Sequence, residues 1–186
     1  RYDVAIERYR AVPDGERGWL ARLRIAAMMA KQGRLPEARR YLDDLPAVTI
    51  EQRVQVRQAE AQLLRDANDN AAAHAVLTRA LVDHPDDPDL LYDAAMVAEK
   101  VDRVDEAVQR LTRLIELKPE NAQAMNALGY TLVDRTPRVE EGFKLVERAH
   151  GLSPQDPFIL DSLGWAYFRL GKLDDAEKHL RRAMEI

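Results

Sequence analysis

Few side chains in this sequence have the types and spacing that catalysis requires. The chain has no cysteine and only two serines, which excludes disulfides, thiolate zinc sites and cysteine nucleophiles but leaves the compartment open. Ser162 lies in the segment LDSLG, which differs from the G-x-S-x-G motif of serine hydrolases and follows no strand pattern. We therefore expect Ser162 to lie inside a helix, in a surface or packing position.

The remaining polar residues show no pattern of a metal or cofactor site. No two of the four histidines have ligand spacing, and none belongs to an H-E-x-x-H motif; they are His74, His84, His150 and His179. Paired carboxylates such as Asp174-Asp175 fall where helices begin, where the helix dipole favours acids. We predict no catalytic residue, no metal, no cofactor and no enzymatic activity.

Composition narrows the class of partner. The chain is 46% apolar and 32% charged, with a formal net charge of −4. No basic face stands out, so we expect no nucleic-acid partner. The longest apolar run, at 25–30, is too short to cross a bilayer. The chain begins with Arg1 inside a helical pattern, so we expect it to be part of a longer protein, with any lipid anchor outside these residues.

A repeat with a period near 34 residues organises the chain. Pro85, Pro119 and Pro154 are 34 and 35 residues apart, which indicates a repeat architecture. Counting from these prolines predicts a single array. Its parts are 1–18 (the second helix of a truncated repeat), 19–53, 54–87, 88–121, 122–156 and 157–186, the last incomplete.

The second half of each repeat carries a small residue, a large residue and a small or aliphatic residue at i, i+4 and i+7, which places all three on one helical face. Examples are Ala73/Leu77/Ala80 and Ala176/Leu180/Ala183. The first half places a large residue ahead of pairs such as Leu128-Gly129 and Leu163-Gly164. These positions resemble the tetratricopeptide (TPR) repeat pattern. The resemblance implies an all-α fold, a right-handed TPR superhelix (α-solenoid) of antiparallel helix pairs.

Residues typical of helix caps and turns lie where the repeat pattern places the helix ends. Asp87 and Asp156 each precede a proline, and Asn121 precedes a third helix, so all three are predicted N-caps. Gly33 and Gly171 are expected to adopt left-handed conformations at turns between paired helices. Thr49 and Gln52 have the spacing of a capping box, which would start the next helix early.

Two segments depart from the pattern. Arg57 and Glu60 occupy positions where TPR repeats bury large apolar residues, and their spacing allows them to pair across one turn. We expect an extended helix to expose them; the alternative is a weak joint that lets the two halves of the array flex. In the second segment, 134–142, there is one extra residue, which we expect to lengthen a turn that Pro137 stiffens.

In TPR proteins the first helix of each repeat lines the inner wall of the superhelix. The residues of this chain at the same inward-facing repeat positions are therefore the predicted binding residues. The predicted groove changes from amide-rich to aromatic along the chain. Its residues are Gln58, Gln62, Tyr92, Met96, Asn126, Tyr130, Asp161, Trp165, Phe168 and Arg169. Exposed aromatics with scattered polar groups suit a protein or extended peptide partner. The alternative is that the C-terminal aromatics pack on a following repeat.

The basic clamp of chaperone-binding TPR domains is absent. The corresponding positions hold Gln58, Gln62, Asp93, Gln123 and Ala127 in place of its Lys, Arg and Asn residues. A chaperone partner of that type is therefore not expected.

Residues 127–142 and 156–183 resemble more closely a family of bacterial TPR lipoproteins on the periplasmic side of the outer membrane. One member of that family is the adaptor that brings a carboxyl-terminal processing protease to its cell-wall hydrolase substrates. The resemblance implies an interaction scaffold in the cell envelope, with the cytoplasm as the alternative location. A second hypothesis is that the chain is the regulatory TPR region of a larger enzyme, such as a glycosyltransferase or signalling protein. A third hypothesis is that the chain self-associates through the open ends of the array.

Overall fold

The structure is a computed structural model that describes all residues, 1–186. Eleven α-helices and no strands form it, so the prediction of an all-α fold is confirmed. The helices are α1 (Tyr2–Arg10), α2 (Glu16–Lys31), α3 (Leu35–Asp43), α4 (Ile50–Asp66), α5 (Asn70–Asp83), α6 (Pro88–Lys100), α7 (Val104–Leu117), α8 (Ala122–Arg135), α9 (Val139–Leu152), α10 (Pro157–Arg169) and α11 (Leu173–Glu185).

The helices belong to two compact units, which are residues 1–84 and 85–186. In the N-terminal unit α2 packs against α1 and α3, and α4 packs against α5. Its core lies where α2, α3 and α4 meet. The buried residues of that cluster are Trp19, Ala26, Ala38, Leu42, Val56 and Leu63.

The C-terminal unit contains α6 to α11, packed in sequence as helix pairs. One buried cluster joins α6, α7 and α8, and consists of Ala95, Ala98, Ala107, Leu111, Leu128 and Leu132. A second joins α8, α9 and α10, and consists of Met125, Val146, Ala149, Ile159 and Leu163. The first cluster combines three alanines with three leucines, and the second packs Ala149 among larger aliphatic side chains; the small residues let neighbouring helices approach closely.

The tightest helix contact lies between α8 and α9. A Cβ atom added to Gly129 would lie 2.7 Å from the backbone oxygen of Gly142, and one added to Gly142 would lie 2.5 Å from that of Gly129. Both distances are shorter than van der Waals contact. Glycine is therefore required here because any side chain would separate the two backbones.

The predicted caps and turns are confirmed. Asp87, Asp156 and Asn121 accept hydrogen bonds from first-turn N–H groups of α6, α10 and α8, and Gly33 and Gly171 have φ of 81° and 75°. The sequence did not reveal that Asn68 and Asp102 adopt the same left-handed conformation, with φ of 61° and 62°. Asparagine and aspartate tolerate it better than other non-glycine residues.

The extra residue in 134–142 does not lengthen the turn, so that prediction is wrong. Three residues, 136–138, connect α8 to α9, as in the other paired helices, and the extra residue extends α8 to Arg135. Thr136 is extended, with φ of −138° and ψ of 166°. This follows from Pro137, because proline pushes the residue before it out of the helical region.

Thr49 and Gln52 form the predicted capping box and start α4 at Ile50. The prediction for Arg57 and Glu60 is partly wrong. Arg57 Nη1 does donate to Glu60 Oε2 across one turn, at 2.6 Å. However, Glu60 is only 3% exposed, because Arg39 of α3 covers its carboxylate from the other side, with Nη2 2.7 Å from Oε1.

Candidate protein-binding surface

The predicted groove residues fall into both compact units, and the two in the N-terminal unit lie on α4. Gln58 is half-buried and Gln62 is exposed, with Gln62 Nε2 donating to Asp66 Oδ1 at 2.6 Å. The neighbouring Gln55 accepts a hydrogen bond from the indole N–H of Trp19 at 2.6 Å. Part of the amide-rich face of α4 is thus used to hold the core tryptophan.

The other eight residues lie on α6, α8 and α10 of the C-terminal unit. Some of them pack against a core cluster, and others do not. Tyr92 and Met96 pack against the cluster that joins α6, α7 and α8. By contrast, Tyr130, Trp165 and Phe168 belong to neither cluster. Trp165 stacks on Phe168 with ring centroids 5.3 Å apart, and Phe168 is 49% exposed. We call Tyr130, Trp165 and Phe168 the aromatic surface.

Three carboxylates from three helices surround Tyr130. Burial raises the pKa of the Tyr130 phenol, and the negative charges of Asp134, Asp161 and Glu99 raise that pKa further. Glu99 is on α6, Asp134 on α8 and Asp161 on α10, so carboxylates of three helices act electrostatically on one phenol. In the sequence these three acids are far apart, and nothing there indicates that they act on the same side chain.

Hydrogen bonds between helices hold this arrangement. The buried Thr131 hydroxyl of α8 bonds to the Glu99 carboxylate of α6. Arg169 of α10 reaches back to α8, where its Nη1 lies 3.4 Å from the Asp134 carbonyl oxygen and 4.0 Å from Asp134 Oδ1. Arg169 is thereby the one predicted groove residue that neutralises an acid of the surface.

Two polar atoms beside the aromatic surface are buried without a hydrogen-bond partner. They are Asn126 Oδ1 and Trp165 Nε1, one acceptor on α8 and one donor on α10. An unpaired buried polar atom destabilises a protein by about 1–3 kcal/mol. The two helices therefore hold an unused acceptor and an unused donor beside exposed aromatic rings.

The structure brings together two histidines that the sequence keeps apart. His150 of α9 and His179 of α11 have ring centroids 6.0 Å apart, and Tyr167 stacks on His179 at 5.2 Å. Desolvation lowers the pKa of His150, followed by the charges of His179 and Arg182. No group of three potential ligands that could hold a metal ion is present. Ser162 is buried and its hydroxyl donates to the Phe158 carbonyl oxygen at 2.9 Å, which is a packing role.

Comparison with protein families identifies the repeat. Tetratricopeptide-repeat models match residues 64–129 and 157–186. The first range includes α5, α6 and α7, and the second includes α10 and α11. The chain contains tetratricopeptide repeats. A TPR repeat-containing protein of Pseudomonas aeruginosa is 39% identical over 181 residues, which is 97% of this chain. The chain spans 31% of the length of that relative.

A second relative and the solved structures are more distant. Cellulose synthase operon protein C of Pseudomonas fluorescens is 30% identical over 131 residues, or 70% of this chain and 10% of that protein. MamA from Desulfovibrio magneticus RS-1 has a TM-score of 0.70 at 21% identity, covering 97% of this chain and 94% of that one. MamA AMB-1 has a TM-score of 0.66 at 24% identity, over 86% and 94%. These likenesses show the TPR fold. None of the eleven helices combines the length and apolar character needed to cross a membrane.

Proposed function

We propose that this TPR region is a non-enzymatic scaffold that binds an extended protein segment through the aromatic surface. One observation carries the proposal: Tyr130 and Phe168 are 38% and 49% exposed, and neither they nor Trp165 belong to a core cluster of their unit, so apolar area on these rings is left for a partner. Aromatic side chains are enriched among the residues that dominate binding energy at protein interfaces.

The charges around the aromatic surface indicate the chemistry of the bound segment. Glu99, Asp134 and Asp161 lie around Tyr130, and only Asp134 has a cationic neighbour, Arg169. A segment with apolar side chains and at least one Lys or Arg is complementary to this surface. Its cation would be attracted by the carboxylates and by the faces of the exposed rings.

We further propose that the parent protein is a cell-envelope adaptor that brings a protease together with its substrates at the periplasmic face of the outer membrane. The support is the resemblance of 127–142 and 156–183 to TPR lipoproteins of that role. The full-length reading frame tests this proposal. A lipobox and further repeats are expected, whereas an α/β domain in the same frame would indicate the regulatory region of an enzyme.

Site-specific photo-crosslinking tests the binding surface directly. Benzoylphenylalanine replaces Phe168 in the full-length protein in its own cells, and captured partners are identified by mass spectrometry. Leu173 is the control position, because it is 60% exposed and lies on α11, which carries none of the predicted groove residues. We expect capture from position 168 and not from 173.

A binding measurement follows with the captured partner. Trp165→Ala combined with Tyr130→Ala should weaken binding by at least about tenfold, since each truncation removes an aromatic contact of about 1 kcal/mol or more. Leu173→Ala should leave the affinity unchanged, because Leu173 lies on α11. If the double variant keeps its helical circular dichroism and binds as tightly as wild type, the aromatic surface is not the site.

A further inference from the structure

A cleft in the N-terminal unit is lined by arginines from three different helices. It has a volume of about 750 Å³ and lies among α3, α4 and α5, within the size range of ligand-binding pockets. Arg39 comes from α3, Arg53 and Arg57 come from α4, and Arg79 comes from α5. At the helical rotation of 100° per residue, these α4 residues lie on the opposite face from Gln55, Gln58 and Gln62. The cleft is therefore separate from the predicted groove.

Glu60 holds two of these arginines in position. Its Oε1 accepts from Arg39 Nε and Nη2 at 2.9 and 2.7 Å, and its Oε2 accepts from Arg57 Nη1 at 2.6 Å. Arg57 Nη2 also donates to Asp43 Oδ1 at 2.7 Å. The Glu60 side chain is 4% exposed, whereas those of Arg39 and Arg57 are 42% and 37% exposed. A buried carboxylate thus fixes two guanidinium groups that still face solvent.

The need for stability does not explain this network. TPR repeats place a large apolar residue at the position of Glu60, and replacing buried ion pairs with apolar residues is often neutral or stabilising. Holding Arg39 and Arg57 in fixed positions instead keeps one wall of the cleft in a single shape beside Arg53 and Arg79, and a preformed site binds a ligand with less loss of conformational freedom. The arrangement is therefore better suited to recognition than to folding.

Other donors in the cleft remain available. Arg53 uses Nη1 for the Val48 carbonyl oxygen, at 3.0 Å, which leaves its other nitrogens open. Arg79 is exposed and makes no ion pair or hydrogen bond. The lining carries four arginines against three carboxylates, those of Asp43, Glu60 and Asp83. Arg39 and Arg57 are engaged with Asp43 and Glu60, and Asp83 offsets one further charge, so the lining carries a net charge of +1. Arg53 and Arg79 are the arginines of the lining with no acidic partner.

We propose that this cleft binds an acidic segment of a partner protein, with Asp or Glu side chains paired to Arg53 and Arg79 and an aliphatic side chain over the apolar floor. Leu42, Val56 and Val76 form that floor. More than one carboxylate suits the site, because its guanidinium groups lie on separate helices. The partner chemistry is thus opposite to that of the aromatic surface, which favours a basic segment.

An NMR titration of the 186-residue chain tests the proposal. The probe is acetyl-Glu-Leu-Glu-amide, and acetyl-Gln-Leu-Gln-amide is its neutral control. The Glu peptide is expected to shift the Arg Nε–Hε resonances of the cleft and the amide resonances of α3, α4 and α5. Equal shifts with both peptides, or none with either at millimolar concentration, would overturn the proposal.

Variants define the site within the same titration. Arg53→Gln with Arg79→Gln replaces two exposed arginines, so folding is retained, and it should weaken binding of the Glu peptide at least tenfold. Arg24→Gln, an exposed α2 position outside the cleft, should leave binding unchanged. Glu60→Leu removes the carboxylate that engages Arg39 and Arg57 and so raises the positive charge of the lining. It should strengthen binding of the Glu peptide, and weaker binding would contradict the charge argument.

Two further outcomes distinguish other ligands and the other site. Inorganic phosphate that shifts the same resonances at lower concentration than the Glu peptide would assign the cleft to phosphate and overturn the acidic-segment proposal. Trp165→Ala with Tyr130→Ala should not change binding of the Glu peptide. If that variant abolished it, the peptide would be binding at the aromatic surface and the proposed cleft would be wrong.

Discussion

Replacing Gly142 with alanine tests how closely α8 and α9 are packed. The added Cβ would lie 2.5 Å from the Gly129 backbone oxygen and 2.7 Å from Val133 Cγ2, whereas ordinary contact begins at 3.4 Å. The shortest of these gaps would have to widen by about 0.9 Å. The atom nearest to the added Cβ is the Gly129 backbone oxygen, so rotation of a side chain cannot relieve the clash. The two helices themselves must move apart.

The expected loss of stability follows from two opposing effects. Overpacking a core destabilises a protein by about 1–3 kcal/mol, and rigid backbone contacts place Gly142→Ala near the upper end of that range. Alanine in place of glycine inside a helix stabilises it by about 1 kcal/mol. The net change in the free energy of unfolding is therefore a loss of about 2 kcal/mol, which lowers the melting temperature by roughly 4–8 °C.

Gly151 supplies the matched control because it lies on the same helix. A Cβ atom at Gly151 meets nothing within 4 Å, so Gly151→Ala keeps only the gain in helix propensity. Near the helix end we expect a stabilisation of about 0.5 kcal/mol. Urea denaturation followed by circular dichroism measures both variants, with the two compact units fitted separately where their transitions resolve.

The test is whether Gly142→Ala lowers the free energy of unfolding while Gly151→Ala does not. If Gly142→Ala proved as stable as wild type, or more stable, the close approach of the α8 and α9 backbones would be refuted. Equal destabilisation by both variants would also contradict the reasoning, because it would point to a general intolerance of α9 to substitution.

Two further predictions concern a helix cap and a histidine. Thr49→Ala removes the hydroxyl that accepts from Gln52 N at 3.1 Å and should reduce the free energy of unfolding by about 1 kcal/mol, measured by urea denaturation. Thr49→Ser should restore it, and an equal loss in both would refute the cap. The lowered pKa of His150 means that the folded chain binds that proton more weakly than the unfolded chain. Stability should therefore fall as pH drops below about 6.5, and His150→Gln should flatten this decline between pH 7 and 5; an unchanged slope would contradict it.

Local signals in the sequence were enough to predict where four of the eleven helices begin. Thr49, Asp87, Asn121 and Asp156 act on N–H groups two or three residues away, so their effect does not depend on the rest of the fold. The turn at Pro137 was predicted less well. Proline does restrict Thr136, but whether an extra residue joins the helix or the turn depends on the packing of α8 against α9.

The burial of Glu60 shows what sequence spacing could not reveal. Its pairing with Arg57 was predictable from the i, i+3 spacing. The second partner, Arg39, is 21 residues away, and only the packing of α3 beside α4 brings it to the carboxylate. The exposure expected for Glu60 was wrong for that reason. The arginine cleft could have been suspected only from the two charged residues at apolar repeat positions.

The sequence by itself determined the repeat, the all-α fold and the starts of four helices, because small residues at fixed intervals and capping side chains act locally. The tertiary structure decided which polar groups share an environment. Glu99, Asp134 and Asp161 come from three helices to surround Tyr130, and Arg39 and Arg57 meet at Glu60. These groups come together only when helices that are distant in the chain pack against each other. The packing decides which buried polar group finds a partner and which does not.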